Sequence, residues 1–94
     1  MAYARVVSFE GVTRDRVAQL QQEIGQGEPP GGMPATEIVM LHDFNAEKSL
    51  VVIFFDTEDD YARGDQILNA MPAGDTPGRR ASVMKYEVAV RRSM

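Results

Sequence analysis

The sequence predicts one α+β domain of β-α-β-β-α-β order, and three observations predict it. Four short runs are rich in β-branched and aromatic residues, as strands require. Two longer stretches carry apolar residues at helical spacing, and each opens on a threonine. The whole chain is 94 residues long, which is enough for one hydrophobic core over residues 1–94 and too little for two.

Tyr3 to Phe9 reads as the first strand, closed by Gly11. Thr13 is a natural N-cap, and Asp15 falls in the first turn, where the helix dipole favours an anion. Val17, Leu20 and Ile24 follow at helical spacing until Gly25 and Gly27 end the helix. A Gly/Pro-dense loop occupies 26–34, and a second strand runs from about Thr36 to His42. The polar stretch from Asp43 to Lys48 is short enough to join that strand to a third, Ser49 to Asp56, as an antiparallel hairpin. Thr57 then opens a second helix, with Asp60 placed three residues on in a near capping-box arrangement. Tyr61, Leu68 and Met71 fall on one face of that helix with Ile67 beside them, and Pro72 and Gly74 stop it. A second Gly/Pro loop, 73–80, precedes a last strand from Ala81 to Val90. This order is the split βαβ, or ferredoxin-like, arrangement: a four-stranded antiparallel sheet with both helices on one face.

Strand residues alternate between faces, and one consistent sorting gives two sets. Val6, Val39, Leu41, Val51, Ile53, Phe55, Met84, Tyr86 and Val88 form a uniformly apolar set suited to the helices. The other set holds Tyr3, Arg5, Val7, Phe9, Ile38, Met40, His42, Leu50, Val52, Phe54, Val83, Lys85 and Glu87. A solvated sheet face should be mostly polar, yet this second one is largely apolar. Leaving it bare would expose more apolar surface than soluble monomers tolerate. Covering several hundred Å² at roughly 25 cal/mol per Å² is worth on the order of 10 kcal/mol before association costs. A homodimer through this sheet face is the simplest solution.

Composition excludes several function classes. A net charge of −4 is unsuited to nucleic acid, whose binding depends on a basic surface. The RNA-recognition domain shares the element order, but its third strand needs a basic-Gly-aromatic signature, and here that strand reads Ser49 to Phe55 with neither. No cysteine is present, so there is no disulfide framework, thiolate nucleophile or thiolate ligand. One histidine with a neighbouring aspartate makes no metal set. The loop at 25–32 has Pro30 where a dinucleotide fingerprint needs its third glycine, and it leaves a helix instead of entering one. No cofactor is therefore expected. The N-terminus has no signal-peptide pattern and the longest apolar run, Leu50 to Phe55, is too short for a bilayer, so the expected location is cytoplasmic with no membrane partner.

Few residues remain to carry chemistry. His42 could take a proton from an acidic substrate carbon, or it could cap the sheet end. Arg5 could anchor a carboxylate, phenolate or keto-enol oxygen, or it could pair with Glu87 on an adjacent strand or across the dimer. Tyr61, Tyr86 and Asn69 could hydrogen-bond a bound aromatic, although Tyr61 and Tyr86 also suit the core. Arg79 and Arg80 stand in the loop before the last strand, where they could rim a pocket and steer an anion.

Two stretches carry a family resemblance. One is Phe54-Phe55-Asp56-Thr57-Glu58-Asp59-Asp60-Tyr61 with Leu68-Asn69-Ala70-Met71-Pro72, and the other is Pro77-Gly78-Arg79-Arg80-Ala81-Ser82-Val83 with Lys85-Tyr86-Glu87-Val88. Together with the element order, they resemble the dimeric α/β-barrel superfamily, in its antibiotic-biosynthesis-monooxygenase-like branch of small bacterial proteins. The resemblance implies two protomers packed sheet to sheet. It also implies a small-molecule site of the kind used by cofactor-independent monooxygenases or isomerases of aromatic, polyketide-like substrates. In that reading Arg5 holds the developing oxyanion and His42 is the base, while Tyr86, Tyr61, Asn69 and Arg80 bind the substrate. The competing reading is a non-enzymatic dimer, ligand-sensing or structural, with Arg5 and Glu87 paired and the barrel filled by side chains.

Overall fold

A computed structural model of the protein describes residues 2–26, 32–70 and 77–94, with the side chains of 24–26 outside the description. The Ile24 side chain and the residues Gly27, Met71, Pro72 and Gly74, which the sequence assigns to helix faces and stops, therefore lie beyond what is described. The elements are β1 (Tyr3–Glu10), α1 (Arg14–Gln26), β2 (Glu37–Asp43), β3 (Lys48–Phe55), α2 (Glu58–Asn69) and β4 (Arg79–Glu87). The predicted order holds, and the four strands form one antiparallel sheet in the order β2-β3-β1-β4. The fold is ferredoxin-like α+β.

Local chemistry sets the element ends. The Thr13 hydroxyl accepts from the Arg16 N–H at 3.2 Å, and the Thr57 hydroxyl accepts from the Asp60 N–H at 3.0 Å, so both threonines satisfy an orphan helix donor. The Asp60 carboxylate does not reach back to the cap. It accepts instead from Arg63 at 2.7 Å, one turn further on. In the β2–β3 connection Asp43 accepts from the N–H groups of Asn45 and Ala46 at 2.9 and 3.1 Å, and Glu47 closes the turn at φ 54°. The last strand ends at Glu87, earlier than the apolar pattern suggested, although the Val88 N–H still donates to the Ala2 carbonyl at 2.9 Å.

The register corrects the assignment of residues to faces. Val7 stands opposite Val51, Arg5 opposite Ile53 and Met40 opposite Val51, and residues directly opposite share a face. Val51, Ile53 and Phe55 therefore lie with Tyr3, Arg5, Val7, Phe9, Ile38, Met40 and His42, and this is the face the helices cover. Val7, Phe9, Val51, Ile53 and Phe55 form its buried centre with Val12 and Val17 at α1 and Tyr61 from α2. The open face carries Val6, Val39, Leu41, Leu50, Val52, Phe54, Met84 and Tyr86. The sheet is thus apolar on both sides, but Arg5, His42, Lys85 and Glu87 belong to the helix side. Among the described residues no helix is long and apolar enough to cross a membrane.

Candidate functional site

Arg5 is the pivot of a polar cluster between β1, β4 and α2. It is 3 % exposed, and a guanidinium that deep needs a counter-charge. Glu87 was the expected partner. The counter-charge is Asp65 instead, whose Oδ1 accepts from Arg5 Nε at 2.8 Å. One turn along α2, Asn69 Oδ1 accepts from Arg5 at 3.0 Å and from Arg80 at 3.0 Å, while the Asn69 amide donates to Asp65 at 3.3 Å. Two guanidiniums thus share one neutral oxygen.

An aromatic wall stands beside this cluster. Lys85, directly opposite Arg5, donates to Glu58 at 2.9 Å and lies 5.3 and 5.0 Å from the ring centres of Tyr3 and Tyr61. Tyr61 meets Phe55 edge-on at 5.5 Å and Tyr3 at 6.5 Å. Burial pushes the Tyr61 phenol above its ordinary pKa, and the Asp65 charge adds to that. The Glu58 hydrogen bond raises Lys85 above its ordinary value.

Of the seven residues singled out from sequence, Arg5, Asn69 and Arg80 make one hydrogen-bonded network, with Tyr61 in the same layer. Tyr86 is not with them. It was assigned to the helix side, but it lies opposite Ala4 on the open face and is 50 % exposed. His42 shares the helix side with Arg5 but sits roughly 13 Å along the strands and roughly 10 Å across them, by strand spacing. Its Nδ1 shares a 2.6 Å hydrogen bond with the Ser49 hydroxyl, its ring lies 4.5 Å edge-on to Phe44, and its Nε2 is buried without a polar partner among the described residues. Arg79 and Arg80 begin β4 and part company there: Arg79 donates to Glu10 at 2.7 Å, while Arg80 turns to α2.

Sequence reasoning passed over Asp65. A signal existed, because Tyr61, Asp65 and Asn69 recur every fourth residue and make a polar stripe next to the apolar one. Among the described residues no group of three or more His, Asp or Glu side chains could hold a metal ion.

The open face has its own feature at the opposite end of the sheet. A depression of about 480 Å³ lies there, with Ser8, Glu10, Leu41, Lys48 and Leu50 among its lining residues. No family model matches the chain, and no curated protein matches it either.

Proposed function

We propose that the protein is a homodimer of the dimeric α/β-barrel kind that binds a small aromatic anion, a carboxylate or phenolate, beneath α2 in each protomer. The observation that carries the ligand class is the sharing of Asn69 Oδ1 by Arg5 and Arg80. Two forked cations on one neutral acceptor leave charge-assisted hydrogen bonding unused, and an ionised oxygen at that point would take both. The partly exposed Tyr3 ring beside Lys85 supplies an aromatic surface for the ligand body, backed by the buried Tyr61 ring. The apolar open face supports the dimer: Leu41, Met84 and Tyr86 are 54, 49 and 50 % exposed on it.

The reading is of binding and not of a reaction shared by Arg5 and His42. Those residues stand too far apart to touch one small substrate, and the His42 ring is turned to Ser49 and Phe44. The test is a thermal-shift titration of the protein with sodium benzoate and salicylate against sodium chloride at equal ionic strength. Binding to the folded state raises the melting temperature with ligand concentration, and Arg80→Gln reduces the rise. An unchanged melting temperature with both anions, or an equal rise in Arg80→Gln, would overturn the proposal.

A further inference from the structure

The register arranges the open face in rows across the four strands. The end row is Asp43 on β2, Lys48 on β3, Glu10 on β1 and Arg79 on β4, each directly opposite the next. The signs alternate −, +, −, + from one edge of the sheet to the other. Within the protomer Glu10 already binds Arg79, and Arg79 holds the Glu10 carboxyl below its ordinary pKa, with Lys48 adding to the effect. The next row is Leu41, Leu50, Ser8 and Ser82, with bulky side chains on β2 and β3 and small ones on β1 and β4. The two serines hydrogen-bond each other at 2.9 Å, and the depression extends from Leu41 and Leu50 to Ser8 on β1.

We propose that a second copy of this chain covers the open face about a two-fold axis parallel to the strands, between β1 and β3. This rests on the reading above that copies pair through their open faces. That rotation lays β2 over the partner's β4 and β3 over the partner's β1, keeping each row above itself. Asp43 then faces the position of Arg79 in the other copy, and Lys48 faces that of Glu10, so every charge in the row meets its opposite. Leu41 and Leu50 descend over the serine positions of the other copy, and Leu50 meets Ser8 at the β1 side of the depression. The other face-to-face two-fold, perpendicular to the strands, brings Asp43 over the Glu37–Arg91 pair instead and leaves the rest of the charge row opposite apolar positions such as Phe54 and Ala4. Aligned sheet packing at about 10 Å and about 30° leaves the long Lys48 and Glu10 side chains within reach of each other. At the far end Arg91 pairs with Glu37 and lies 4.5 Å from the centre of the Phe54 ring, so the apolar rows are bounded by charge at both ends.

The test mixes two variants, Lys48→Glu and Glu10→Lys, carrying tags of different mass. Alone, each homodimer holds two like-charged cross-copy pairs, and its dissociation constant rises on the order of tenfold over wild type. Mixed, the two form heterodimers in excess of the statistical half, because both cross-copy pairs are again opposite in sign. Each protomer's own row stays disrupted in the mixture, so the recovery reads only contacts between copies. Lys48→Asp with Glu10→Arg repeats the test should either first variant fail to fold. A statistical mixture beside a dimeric wild type overturns the axis and leaves the open-face dimer standing. A wild type that stays monomeric in native mass spectrometry overturns both.

Discussion

Gly64 decides how closely α2 lies on the sheet. A Cβ at this position would stand 2.5 Å from Phe55 Cζ, and the Phe55 ring is fully buried with no room to withdraw. Helix propensity alone would favour alanine here by about 1 kcal/mol. The clash is larger, so Gly64→Ala should destabilise the protein by about 2 kcal/mol in urea unfolding, opposite to the propensity sign. A neutral or stabilising result would show that α2 shifts freely. That close approach is also what brings Asp65 and Asn69 down onto Arg5. Asp65→Ala would leave a guanidinium of 4 % side-chain exposure without its counter-charge. Because the Asp65 side chain is itself 33 % exposed, the expected loss is about 2 kcal/mol, below the range for a wholly buried pair. Arg63→Ala breaks only a surface pair with Asp60 and should cost less than about 0.5 kcal/mol, measured the same way.

At the scale of elements, α2 is tied to the sheet by groups that titrate at high pH. Tyr61 and Lys85 both have folded pKa values above their ordinary ones. Each contribution is complete below the unfolded pKa of about 10 and is lost as pH rises through the folded value. The urea midpoint should therefore stay level from neutral pH to about 9 and fall beyond about 10. Tyr61→Phe should flatten part of that fall, and an identical alkaline profile in the variant would contradict the assignment. The existence and order of these elements were legible in the sequence, because threonine caps and helical or alternating periodicity are local signals. The face each strand residue takes was not. Leu50-Val51-Val52-Ile53-Phe54-Phe55 is apolar at every position, so alternation within β3 carries no parity. Parity comes from the turn: Asp43 caps it and pairs with Lys48, which fixes Leu41 opposite Leu50 and not beside Val51. A one-residue difference in that turn exchanges the faces of β2, His42 included, while the face of Arg5 is set by the long-range pairing of β1 with β3, which no turn fixes. Arg5 itself was visible as a charge in an apolar strand. Its partner, 60 residues away on a helix, follows from packing that no local pattern encodes.

For the whole molecule, the open face decides whether stability depends on concentration. A fold this small buries a modest share of its apolar surface within one protomer, and the bare face carries much of the remainder. If two copies share that face, folding and association are coupled, and the melting temperature rises with protein concentration. A monomer melts at one temperature at all concentrations. Leu41→Asp separates the two cases, because Leu41 is 54 % exposed on an edge strand and contributes little to its own protomer's core. Over the serine row of another copy, the same side chain would be buried, and a carboxylate there would be desolvated without a partner. The variant should keep the wild-type circular dichroism spectrum, lose the concentration dependence and melt at the dilute limit of the wild type. A variant that retained the concentration dependence would place the association elsewhere on the molecule. The two edge strands would then be the next surfaces to test, since β4 is exposed along its whole length and a bare edge is the other route by which a sheet recruits a second copy.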